Sequence, residues 1–187
     1  MKMKDSLAIL LIAAFIPLGL AGCGDQKSGN QTGSQTQSSQ QKPKPKPQSQ
    51  RKVVKTPSQF VSQYKTWTGR LEKIAAKNDK LCNNLFTKKI NHIKFQDDAQ
   101  AMQKEVLSLT NEVETKTDIT LSKTDQTKVK YDEIVTAFNR TAKDLNDFLY
   151  VSPHVTDAQV KVKYQEMIQR DYKNHLAELK GLLNSIK

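Results

Sequence analysis

Chemistry in residues 57–187 would have to come from three histidines, a cysteine and the carboxylates around them. His92, His154 and His175 stand far apart, and none forms a His-x-x-x-His or Glu-x-x-His pair. A di-metal carboxylate bundle needs paired Glu-x-x-His motifs, so that chemistry is not expected. Asp171, His175 and Glu178 do fall at steps of four and three. On a helix that spacing puts them on one face, where a metal could be held weakly. The same spacing is the ordinary pattern of charged neighbours on a solvated face, and that reading is preferred. Cys82 has no evident histidine partner in the sequence; within an apolar pattern it reads as a small core residue. Residues 57–187 hold only Gly69 and Gly181, and neither a Gly-rich phosphate loop nor a Gly-x-Ser-x-Gly elbow occurs. The expectation is a protein with no catalytic residue, no metal and no cofactor.

A binding role is the other way these side chains could act. Phe60, Tyr64 and Trp67 recur at steps of four and three. Exposed, they would stack on sugar rings or on a partner; buried, they would be core, which their spacing favours. They are the candidate partner-binding residues of the folded region.

The elements that position them read as helices. Thr56-Pro57-Ser58-Gln59 combines a capping threonine, a proline at the first helical position and a glutamine for a capping box. From there Phe60, Tyr64, Trp67, Leu71, Ile74, Asn78, Leu81 and Leu85 form a heptad-like stripe, with Asn78 its polar interruption. Asp97-Asp98-Ala99-Gln100 repeats the start signal, with Asp97 as the expected cap of a second helix through Val113. A third stripe runs from Tyr131 to Leu149 and stops before Pro153. Thr156-Asp157-Ala158-Gln159 opens the last, which reaches Ile186. Val53-Val54 and Ile119-Thr120-Leu121 are too short to predict strands. The fold expected is all-α: an elongated antiparallel bundle of about four helices over residues 57–187.

The N-terminus has a different character. Lys2 and Lys4 precede an apolar run from Leu7 to Leu18, too short to span a hydrocarbon core that needs about 20 residues. The run ends in Leu20-Ala21-Gly22-Cys23. This stretch resembles the lipobox of bacterial lipoprotein precursors, and the downstream Gly24 and the Lys/Gln/Thr-rich body look like a Gram-positive surface lipoprotein. The resemblance implies a signal peptide over residues 1–22, cleavage between Gly22 and Cys23, and diacylglycerol on the Cys23 sulfur. It implies an extracytoplasmic protein anchored in the membrane through that lipid: on the outer face of a Gram-positive plasma membrane, or facing the periplasm in a Gram-negative cell. It covers residues 1–23 only and says nothing about the helical region.

Residues 23–56 form the expected tether. Its first half is Gly, Ser, Thr, Asn and Gln, and its second contains Lys42-Pro43-Lys44-Pro45-Lys46-Pro47. Such composition buries too little to fold, and alternating proline favours an extended chain. Of the net charge of +11, these residues carry +6, whereas residues 57–187 carry +4 from 21 basic and 17 acidic side chains. The excess therefore reads as a property of the tether, which argues against nucleic acid as a partner. Lys42, Lys44, Lys46, Arg51 and Lys52 are the residues expected to meet lipid headgroups or an anionic wall polymer. Together these features predict a non-enzymatic, lipid-anchored envelope protein that binds an unidentified protein partner or such a polymer. The alternatives are a ligand-binding lipoprotein serving a transporter and a self-associating assembly or exclusion factor.

Overall fold

The computed structural model describes residues 51–186. The chain opens with a short strand, β1 (Lys52–Val54), and enters α1 (Pro57–Phe86). It reverses into α2 (His92–Thr115), passes through β2 (Thr117–Ile119) and the single-turn α3 (Lys123–Lys128), and returns in α4 (Tyr131–Val151). A 3-10 turn at Ser152–His154 leads to α5 (Asp157–Lys163). The helix then widens into a π-helical segment, Tyr164–Tyr172, and runs on without a break as α6 (Lys173–Ser185).

Contacts between side chains give the directions. Lys77 and Arg70 of α1 meet Glu105 and Glu112 of α2, so those helices are antiparallel. Arg140 and Asp144 of α4 meet Glu178 and His175 of α6, again antiparallel. Phe60 and Tyr64 of α1 pack on Tyr131 and Phe138 of α4, which run in the same direction across the diagonal. The result is the expected all-α antiparallel bundle, with α2 and the α5–α6 helix alternating with α1 and α4.

Local chemistry explains most boundaries. Thr56 accepts from the Gln59 backbone N–H, but the Gln59 side chain turns to the Lys55 backbone N–H, so the predicted box is only half made. Thr156 and Gln159 make the reciprocal pair in full. The second helix starts six residues before the expected Asp97. Asn91 caps it by accepting from the Lys94 N–H, and Phe95 of its first turn is fully buried. The reversal that makes this start possible is a left-handed Lys88, φ 55°. Around it the Lys89 N–H bonds the Asn84 carbonyl and the Lys88 N–H the Leu85 carbonyl, a Schellman closure with lysine where glycine is usual.

Two further expectations are corrected. Val53-Val54 and Ile119, from the segments judged too short for strands, belong to two three-residue strands that pair in parallel, Lys52 with Thr117 and Val54 with Ile119. Three residues carry no local strand signal, and each strand is stabilised by a partner remote in sequence. The tether boundary at residue 56 moves accordingly, because Val54 is buried at 2% exposure and β1 belongs to the folded region.

Among the described residues, no helix is long and apolar enough to cross a membrane.

Candidate functional site

The sequence-predicted binding residues are core. Phe60, Tyr64 and Trp67 are 0–1% exposed; they pack on one another at ring separations of 4.6 and 5.0 Å, and Tyr64 and Trp67 pack on Phe138 at 5.5 and 6.2 Å, in edge and tilted geometries. Their stacking on an external partner is therefore excluded by burial. Aromatic area of this size is worth more inside a bundle than on its surface. The Trp67 indole keeps its one polar need met by donating to Glu112 at 3.1 Å.

The acidic–histidine set is dispersed. Asp171 pairs with the adjacent Arg170, His175 lies 2.5 Å from Asp144 of α4, and Glu178 meets Arg140. The three side chains thus face separate partners. No cluster of metal-ligating side chains occurs among the described residues. His92 bridges elements instead, with Nδ1 2.6 Å from Asp157 and Nε2 3.3 Å from the Pro153 carbonyl. His154 sits exposed against Tyr150. Cys82 is fully buried, and burial with the nearby Asp79 carboxylate pushes its thiol well above the ordinary range. An inert thiol of that kind is structural.

Gly22, Cys23, Lys42, Lys44 and Lys46 lie outside the described residues. Arg51 and Lys52 are described, and both are engaged. Arg51 pairs with Asp118 of β2 at 3.1 Å and Lys52 donates to the Gln63 side chain of α1, so they tie the β1 end of the chain to its neighbouring strand and to the bundle.

A different surface gathers unmatched charge. Arg70, Lys73, Lys77 and Lys80 recur at steps of three, four and three, which lines them along one face of α1. That face borders a trough against α2, formed by two hollows of about 340 and 450 Å³ that share Lys77, Ala101 and Glu105. Lys104 rises from the α2 side. The carboxylates here are already used: Glu105 takes both its contacts from Lys77, at 2.8 and 3.0 Å, and Asp98 pairs with Lys94. Arg70 is likewise committed to Glu112, at 2.7 Å. Its guanidinium and then the Trp67 indole hold the Glu112 carboxyl below its ordinary pKa, against the opposing effect of partial burial. Lys73, Lys80 and Lys104 are exposed and make no ion pair among the described residues.

The trough floor is sealed. Ile74, Leu81 and Met102 beneath it are 5–7% exposed, and Ala101 and Ser108 give it a small-residue lining. A larger hollow of about 680 Å³ lies at the start of α1, between Pro57, Thr66 and Ile186. Lys65 is the only charged side chain lining it among the described residues, so it offers less to recognise a ligand than the trough does.

The trough escaped the sequence reading because charge was summed by segment. Seventeen acidic residues hide the basic stripe in that sum, although the 70-73-77-80 spacing was visible. No protein-family model, curated protein or solved structure matches the chain.

Proposed function

We propose that this chain is a lipid-anchored protein of the bacterial envelope whose helical bundle is a non-enzymatic binding module for an anionic macromolecule. The observation that carries the binding role is the α1–α2 trough, lined by Lys73, Lys80 and Lys104, which have no carboxylate partners among the described residues. Like charges held on two packed helices repel, at a small cost to the fold. An external polyanion removes that repulsion and releases its own counterions on binding.

The anchoring role rests on the resemblance of Leu20-Ala21-Gly22-Cys23 to a lipobox. Cleavage after Gly22 and diacylglycerol on Cys23 would hold the protein firmly, because two acyl chains together anchor stably. Lys42, Lys44 and Lys46 then form a second basic stretch between lipid and bundle, able to meet headgroups or the same polyanion.

The test uses intact cells carrying a photo-crosslinking side chain at Ala101, which is exposed in the trough. A crosslinked macromolecule that disappears with Lys73→Gln, Lys80→Gln and Lys104→Gln is the expected result. Capture that is unchanged in that variant would overturn the binding role of the trough. In parallel, Cys23→Ser should move the protein from the membrane fraction to the soluble extracytoplasmic fraction. Retention of the processed variant at the membrane would overturn the anchor.

A further inference from the structure

We infer that the trough takes a linear polymer of phosphate esters; this rests on the binding role proposed above and names its ligand class. Three features select that class: shape, the kind of cation and the missing apolar anchors.

The two hollows lie end to end along α1 between Arg70 and Asn84 and meet at the Lys77–Glu105 ion pair. At 1.5 Å per residue, that stretch is about 20 Å long. A trough of this form suits an extended chain, whereas a small compact ligand is normally enclosed in a pocket. Lys73 and Lys80 lie about 10 Å apart along the helix, and Lys104 stands on the opposite wall. Cations on both walls can follow an anionic backbone lying between them.

The unmatched cations are all ammonium groups. An ammonium is a compact point charge with rotatable donors, and it accepts a tetrahedral phosphate in many orientations. Planar carboxylates are best held by the fork of an arginine. The single arginine of the trough, Arg70, already holds Glu112. Its carboxylate-type site is therefore filled from within.

A protein partner would need apolar anchors. Helix-in-groove and hot-spot recognition rely on buried aromatic or aliphatic side chains. The exposed large hydrophobic residues are Val53, Ile93, Leu107, Tyr150 and Val162, and none lines the trough. Among the described residues no aromatic side chain lines it either, which removes the stacking that single-stranded nucleic acid uses. What remains is electrostatic attraction to a flexible polymer bearing one charge per repeat.

The experiment titrates the full chain, on a background of Lys42→Gln, Lys44→Gln and Lys46→Gln, with a synthetic poly(glycerol phosphate) oligomer and with poly-L-glutamate. The phosphate polymer should bind at low salt, with log K falling against log salt at a slope of about −2 for three contacts. Adding Lys73→Gln, Lys80→Gln and Lys104→Gln should weaken it at least tenfold. A control that removes the same charge elsewhere, Lys89→Gln, Lys123→Gln and Lys161→Gln, should weaken it less than threefold. Circular dichroism confirms that both variants keep the helical fold. Equal binding of poly-L-glutamate, with the same loss in the trough variant, would overturn the phosphate class and leave the binding role standing. Equal losses in the trough and control variants would overturn both. Binding seen only when the tether lysines are restored would place the site outside the trough and likewise overturn both.

Discussion

The Trp67 indole N–H donates to one oxygen of Glu112 at 3.1 Å while Arg70 donates to the other at 2.7 Å. A core aromatic of α1 is thereby tied to the last turns of α2 through one carboxylate. Burial leaves an indole needing a partner, and the ion pair fixes that partner in place. The fold lowers the Glu112 pKa from its ordinary 4.5. The sign follows: its stabilisation is complete above the unfolded value and is lost as pH falls through the lower folded value. Glu112→Gln should cost about 1 kcal/mol near neutrality, a figure discounted for the partly exposed carboxylate, and less at a pH below the ordinary carboxylate range, where the lowered folded value is being crossed. Urea unfolding followed by the fluorescence of Trp67, the only tryptophan, checks this. Equal losses at both pH values would mean that the carboxylate charge contributes nothing.

Asn78 is fully buried in the α1 stripe, and its Nδ2 has no hydrogen-bond partner among the described residues, although its Oδ1 accepts weakly from Cys82 Sγ at 3.6 Å. An unsatisfied buried amide costs more than an apolar group of similar shape. Asn78→Leu should therefore raise stability by about 1 kcal/mol. Denaturant midpoints give the measurement, and a destabilised variant would show that the amide is satisfied in solution or that leucine overfills the site.

Lys88 holds a left-handed backbone at the close of α1, where a Cβ is unfavourable. Lys88→Gly should stabilise the protein by up to about 1 kcal/mol, because the native geometry already suits glycine. Thermal unfolding tests it. A lower midpoint would mean that the greater freedom glycine gives the unfolded chain outweighs the relieved strain.

Cys82 should resist alkylation in native buffer and react at a rate set by unfolding, since the thiolate is both buried and disfavoured. Peptide mass spectrometry after iodoacetamide treatment separates it from Cys23. Modification at the rate of an exposed thiol would reveal local opening between α1 and the π-helical segment. There Tyr164 donates to Asp79 at 2.8 Å, one turn before Cys82.

Much of the bundle was legible because helix formation leaves a local record. The 60-64-67-71-74 stripe became the buried face of α1, and Thr156 with Gln159 became a complete capping box. Asn78 and Cys82, read as seam and core positions, are both fully buried. The second helix start was less legible because Asn91 and Asp97 both have capping chemistry. The choice between them came from the Lys88 reversal and from the burial of Phe95.

The sequence by itself determined the helical class, the approximate extents of α1, α4 and the last helix, and the placing of the aromatic stripe. Each depends on periodicity and capping within a few residues. Tertiary structure alone decided that β1 pairs with β2, that Arg51 meets Asp118 of β2 and Lys52 meets Gln63 of α1, and that lysines of α1 face Lys104 across a trough. These relationships join residues far apart in the chain. Their energies are set by which faces the packed helices turn to one another and by which charges find a partner, and no local window of sequence contains either.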